Sequence, residues 1–133
     1  MKINILKSKL HRATITNVHL DYEGSCAIDT NILQASGINE YEMIHIYNLN
    51  NGNRFSTYAI KAEKNTGLIT LNGAAAFKGK KNDLVIICAY AQINESSFSK
   101  HIPKLIYFKK NSNIIDTIKS KKPIQKKNNV ISI

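Results

Sequence analysis

Short apolar runs rich in Ile, Val and Thr, each closed by polar residues or by Gly and Asn, set the rhythm of this chain. Runs of this length predict strands rather than helices. Ile3 to Leu6 and Ala13 to Leu20 read as the first two. Asp29 and Thr30 can cap a short helix through Ala35, which Gly37 would end. Met43 to Tyr47 and Arg54 to Ala62 are strands on either side of Asn51-Gly52, a strong hairpin signal. Leu68 to Leu71 is a short strand, followed by a small-residue loop from Gly73 to Ala76. Leu84 to Ala91 is nearly all apolar, the composition of a strand buried on both sides. Leu105 to Phe108 closes the set. Many short strands, tight turns and one or two small helices predict a mainly β fold, a compact β-barrel. Pattern alone leaves its topology open.

Length and composition narrow the function classes. A chain of 133 residues with 43% apolar content suits one globular domain. The longest apolar run, Leu84 to Ala91, is too short to span a membrane. Lys2 and Lys7 are followed by no continuous apolar stretch, so no signal peptide is evident. Cys26 and Cys88 make no disulfide framework, and a reduced, cytoplasmic setting is expected. Neither cysteine nor the four histidines form a metal-ligand pattern.

The net charge of +10 points towards nucleic acid until its location is considered. Residues 1–108 carry +4 and residues 109–133 carry +6. The excess is a lysine-rich tail that reads as a solvated, loosely ordered segment. It interleaves no aromatic residues for base stacking.

Tyr22-Glu23-Gly24-Ser25-Cys26 carries the sharpest chemistry. A serine oxygen can attack the carbonyl before it and turn an amide into an ester. Glycine at that place adds no Cβ and tolerates strained backbone angles. Taken alone, Gly-Ser is an ordinary turn. Cys26 could be a nucleophile, but no histidine is clearly placed to activate it, and it reads as a small neighbour of Ser25. His19, His45 and His101 read as structural or surface histidines.

Four separated motifs agree with one another. They are Lys9-Leu10-His11-Arg12, the run from Tyr22 to Asp29, the run from Asn51 to Ile60, and Asn72-Gly73-Ala74-Ala75-Ala76. In order and spacing they resemble the aspartate 1-decarboxylase family, pyruvoyl-dependent carboxy-lyases that make β-alanine for pantothenate and coenzyme A. The resemblance implies a six-stranded double-psi β-barrel assembled as a homotetramer, with sites at subunit interfaces. It implies a catalytic domain over 1–110, self-cleaved into a β chain, 1–24, and an α chain, 25–133. A flexible lysine-rich tail over 111–133 would follow.

Residue by residue, the resemblance implies cleavage at Gly24–Ser25, helped by Thr57, that converts Ser25 into a covalent pyruvoyl cofactor. That ketone would engage the amine of L-aspartate as a Schiff base and accept electrons as carbon dioxide leaves. Lys9 and Arg54 would hold the carboxylates, with Thr57 also beside the substrate. Tyr58, a phenol protonated at neutral pH, would donate the proton. Asn72 and the backbone of Gly73, Ala74 and Ala75 would bind substrate. His11 and Tyr22 would line the site. No metal, nucleic acid or membrane is implied, and whether maturation needs an accessory protein stays open.

One geometric question comes with these assignments. In an ideal strand Arg54 and Tyr58 share a face while Thr57 points to the other. The strand must then bulge, twist or end there, or different subunits must contribute. Two other readings are weighed: a small basic β-barrel binding nucleic acid, and a hydrolase using Cys26 or Ser25. The stretch Phe77 to Asp83 is more basic than the family pattern suggests, and the tail beyond Asn111 matches nothing assignable.

Overall fold

The computed structural model describes residues 1–127. Their strands are β1 (Lys2–Thr14), β2 (Asn17–His19), β3 (Ser25–Asp29), β4 (Met43–Asn48) and β5 (Arg54–Ala62). β6 (Ile69–Asn72), β7 (Leu84–Asn94), β8 (Lys104–Phe108) and β9 (Ile115–Lys119) follow. One α-helix, α1 (Thr30–Ser36), sits between β3 and β4, and 3-10 turns cover Gly73–Lys78 and Glu95–Lys100. The fold is mainly β with short helices, as the pattern predicts.

Hydrogen bonding joins the strands in the order β2-β6-β3-β5-β4-β7-β1-β8-β9. Three pairs are parallel, β1 with β8, β2 with β6 and β3 with β5, and the remainder antiparallel. The strip cannot lie flat. Leu71 of β6 and Ile106 of β8 stand near its opposite ends, yet both belong to one core cluster with Leu10, Ile28, Ile46 and Ile87. Burying that apolar surface together curls the sheet around itself. Backbone bonds hold the curl, from Ile15 N–H to Asp83 O at 2.9 Å and from Thr16 N–H to Ile69 O at 2.8 Å. Among the described residues nine strands appear where the family resemblance implies six. β2 is only a three-residue edge strand, and β9 lies in a region the pattern did not read as a strand.

Three local expectations change. The separate strands at Ile3–Leu6 and Ala13–Leu20 are one long β1 and a short β2. β1 stays paired with β7 through register shifts at Leu6/Ser8 and Leu10/Ala13, and Arg12 there has a φ of 60°. Such bulges absorb an extra residue and bend a strand without ending it. Second, the loop at Gly73–Ala76 winds into a 3-10 turn. Third, the stretch from Asn111 is not simply a loose tail. Ile115–Lys119 form β9 on the edge of β8, and Asn113 is clamped upstream of it. Its side chain accepts from Thr14 N–H and donates to the carbonyls of Thr14 and Gly67, each at 2.8 Å. The remainder of the expected tail, 128–133, lies outside the described residues.

Asp29 organises the turn beneath the site. Its carboxylate caps α1 through Asn31 N–H at 2.8 Å and accepts from Gly67 N–H at 2.8 Å and Asn65 N–H at 3.0 Å. Burial pushes this carboxyl upward in pKa, but backbone N–H bonds, Gly67 first, outweigh it and leave the value lowered. Removing the group strands several N–H donors. We expect Asp29→Ala to lower stability by about 2–4 kcal/mol in urea unfolding at pH 7. A depressed native pKa stabilises above the unfolded value of about 4 and loses that contribution as pH falls through the native value. The gap between wild type and Asp29→Asn should therefore close in acid.

Candidate active site

The first residues of β3 are held from both edges. Ser25 pairs with Asn72 of β6, and Cys26 pairs with Leu71 on that side and with Ala59 of β5 on the other. Ser25 is 2% exposed and has a φ of 148°, a backbone conformation that non-glycine residues rarely adopt. Its Oγ has no hydrogen-bond partner among the described residues. Nor does Nδ2 of Asn72, although Asn72 Oδ1 accepts from Thr70 Oγ1 at 3.1 Å. Two buried polar atoms on directly paired residues are left over, which is uncommon away from functional sites.

Gly73 explains the tight fit. It has a φ of 63°, and a Cβ there would stand 2.7 Å from Gly24 Cα and 3.3 Å from Gly24 N. Gly24 itself has open space where a Cβ would go. Between this pair of loci, the steric demand for glycine therefore falls on position 73. An open cleft of about 890 Å³ lies alongside, lined by Tyr22, Ala27, Ile60, Thr70 and Asn72 among others.

β5 answers the question of faces. It pairs with β4 without a register shift, so alternation holds. Phe55 and Ala59 pack on the core, which puts Thr57 on the inner side and Arg54, Ser56 and Tyr58 on the outer. Lys9 shares that outer face through the row Lys9–Cys88–His45–Ser56 across β1, β7, β4 and β5. Arg54 lies 4.0 Å over the ring of Tyr47, whose hydroxyl is 2.7 Å from that of Tyr90. β1 and β3 are four strands apart, roughly 19 Å along the sheet at ~4.8 Å per step. Within one chain the structure groups Ser25, Gly24, Asn72 and Gly73, with Tyr58 alongside. Lys9, on β1, belongs to a separate group four strands along the sheet from them.

A second group surrounds Lys9, which is 9% exposed. His11 packs on Tyr107 with ring centroids 5.2 Å apart. His11 Nδ1 and the Tyr107 hydroxyl are buried without partners among the described residues. Burial, then the cations Lys9, Arg12 and Lys122, lower the His11 pKa to about 4. Burial, followed by Lys122, also lowers that of Lys9. Cys26 is fully buried, and burial pushes its thiol up to about 12, which argues against thiolate chemistry. His101 Nε2 lies 2.6 Å from Leu6 O, a structural contact.

Comparison with known proteins decides the family. The family model described as aspartate decarboxylase matches residues 1–115. The chain belongs to the aspartate decarboxylase family. It is 56% identical over 117 residues to an aspartate 1-decarboxylase of Hydrogenovibrio crunogenus, covering 88% of this chain and 91% of that one. Against that of Nitrosococcus oceani the identity is 57% over 107 residues, 80% and 85% of the two chains. Against that of Methylococcus capsulatus it is 50% over 117 residues, 88% and 93%.

For a member of the aspartate decarboxylase family, the motifs nominated one set of residues, and the fold adds neighbours they could not. Tyr47, Cys88, Tyr90 and Tyr107 border the cationic residues only because β4, β7 and β8 lie beside β1 and β5. A signal did exist for Tyr107, since Lys9-x-His11 and Leu105-x-Tyr107 both alternate towards one face. In a proton NMR titration we expect the His11 ring to stay neutral through pH 6 and to titrate near pH 4. A midpoint near the ordinary value of about 6.5 would contradict its burial among cations.

Proposed function

We propose that this protein cuts its own Gly24–Ser25 bond and then decarboxylates L-aspartate to β-alanine with the pyruvoyl group left at position 25. Family membership supports the reaction. The observation that carries the maturation step is Ser25, buried, at a φ of 148°, with an unpartnered Oγ beside the scissile carbonyl.

A residue held at such an angle stores about 1–3 kcal/mol of strain. Attack of Ser25 Oγ on the Gly24 carbonyl forms the ester and breaks the peptide C–N bond, with the hydroxyl proton passing to nitrogen. Loss of the Ser25 α-proton and of the Gly24 carboxylate leaves dehydroalanine. Hydrolysis releases ammonia and leaves the ketone. Thr57, on the inner side of β5, the strand paired with β3, supports the tetrahedral oxyanion. The residues present fit the group: the unpartnered Asn72 Nδ2 belongs to the residue paired with position 25, and Gly73, lacking a Cβ, lets its turn pack closely on Gly24. When formed, the group supplies an electrophilic carbonyl and an electron sink.

The chain's own residues divide the remaining work. Arg54 and Lys9 hold the substrate carboxylates, Arg54 with its planar fork. Their charge must not stabilise the departing carboxylate more than the transition state. Backbone N–H groups of Gly73, Ala74 and Ala75 approach the substrate, and Tyr22 and His11 line the site. Tyr58 donates a proton to the carbon that has lost carbon dioxide. The four-strand spacing of Lys9 from Ser25 along the sheet supports a homotetramer with sites between subunits. So does the exposed apolar surface at Tyr22 (61%), Tyr41 (73%), Met43 (62%) and Tyr58 (42%). A cytoplasmic setting suits free thiols.

Intact mass under denaturing conditions tests the maturation. Wild type should give fragment 1–24 and a 25–133 chain one ammonia lighter than plain hydrolysis leaves. Ser25→Ala should stay whole and make no β-alanine. Gly73→Ala, which drives a Cβ into Gly24, should slow cleavage at least about ten-fold, because a misplaced nucleophile loses its orientation. A Ser25→Ala protein with full activity would sink the proposal. Tyr58→Phe should cleave normally yet lose about 10²–10⁴-fold in kcat, measured by β-alanine release.

A further inference from the structure

The lysines that follow β8 have no part in the motifs that identify the family, and the family model ends at residue 115. The structure nevertheless brings two of them to the candidate site. β9 pairs with β8 so that Lys119 lies opposite Leu105, which in turn lies opposite Lys9. In the adjacent row on the same face, His11 lies opposite Tyr107 and Tyr107 opposite Thr117. Lys119 Nζ stands 4.8 Å from the centroid of the Tyr107 ring. Three residues further on, Lys122 comes near enough to Lys9, His11 and Cys88 to perturb all three.

The grouping is electrostatically costly as it stands. Lys9, Lys119 and Lys122 gather with Arg12 nearby, and none of the four is in an ion pair among the described residues. The one ion pair among those residues is Lys7–Glu42 at 2.7 Å. Like charges around a desolvated ammonium repel unless something neutralises them. At the same place two buried polar atoms lack partners, His11 Nδ1 and the Tyr107 hydroxyl, and Tyr107 is 4% exposed. Cations without counter-charge and buried groups without partners share one chemical remedy, an anion with several acceptor oxygens.

We propose that Lys119 and Lys122 complete an anion-binding subsite with Lys9, His11 and Tyr107, and that this carboxyl-terminal segment strengthens capture of a dicarboxylate substrate. A carboxylate there takes charge-assisted bonds from the ammoniums and a hydrogen bond from the Tyr107 hydroxyl. The tail lysines are more exposed than Lys9, so they act chiefly on affinity and capture, and uniform binding lowers KM without changing kcat. The inference rests on the decarboxylase reading only for the identity of the anion.

Succinate separates the two, because it has both carboxylates and no amine to react. Calorimetric titration of the full-length wild type at low salt should show succinate binding. Lys122→Gln and Lys119→Gln should each weaken it roughly three- to ten-fold. KM for L-aspartate should rise by the same factor with kcat unchanged, and Lys122→Arg should restore both. Lys121→Gln removes the same charge next door and should have little effect. Absence of succinate binding by wild type, unchanged affinity and KM in the double variant, or an equal effect of Lys121→Gln would each overturn the proposal. Lysine-dependent succinate binding without any decarboxylation of L-aspartate would leave the subsite standing and remove the decarboxylase reading alone.

Discussion

A short strand clamped on both edges is the constraint on which the rest of this molecule turns. β3 has five residues, yet it pairs in parallel with β5 and antiparallel with β6. Its alternate side chains, Cys26 and Ile28, are locked in the core. That clamp over-determines the position of Ser25, so the residue stays at an angle it would leave if the strand were free. Gly73 closes on Gly24 from the turn after β6, so closely that a Cβ at position 73 would stand 2.7 Å from Gly24 Cα. The strain is thus maintained by hydrophobic burial elsewhere in the sheet.

The same sheet sorts chemistry by face. Inward positions of β1, β4, β7 and β8 are Leu10, Ile46, Ile87 and Ile106, a dry core with no titratable group. The outward positions of those strands, with β5, carry Lys9, Arg54, Tyr47, Tyr90, Cys88 and Tyr107. Burial raises the pKa of Tyr107 and Cys88 and, with the Tyr47 contact, that of Tyr90, so these stay neutral donors beside the cations. Neutral donors next to desolvated cations form a surface made to meet an anion. The nucleophile end of the site and its charged end sit on the same curved sheet but several strands apart. That separation is the physical reason why one chain is an incomplete site in the proposed scheme.

Much of the secondary structure was legible from pattern. The hairpin at Asn51-Gly52 joins β4 and β5 with Gly52 at a φ of 78°, and Gly37 ends α1 at 74°. Both are local demands that only glycine or asparagine meets easily, so sequence alone reveals them. β1 was harder, because its bulges interrupt period-2 alternation without interrupting pairing. β9 was harder still. Ile115, Ile118 and the residues between them carry a weak strand pattern inside a lysine-rich run, and only the open edge of β8 gives it a partner.

For the site, Gly24-Ser25 alone reads as an ordinary turn, and the resemblance carried by four separated motifs is what nominated the residues. Sequence by itself determined the mainly β class, the local turns and, through the family motifs, which residues are nominated for the proposed site. The first two depend on interactions between near neighbours. Tertiary structure decided that Ser25 is strained and unpartnered, that Gly73 rather than Gly24 is sterically pressed, and that Thr57 faces inward. It also decided that lysines beyond β8 return to Lys9. Each of these depends on strands far apart in the chain being pressed together by one shared core, and no local pattern records that contact.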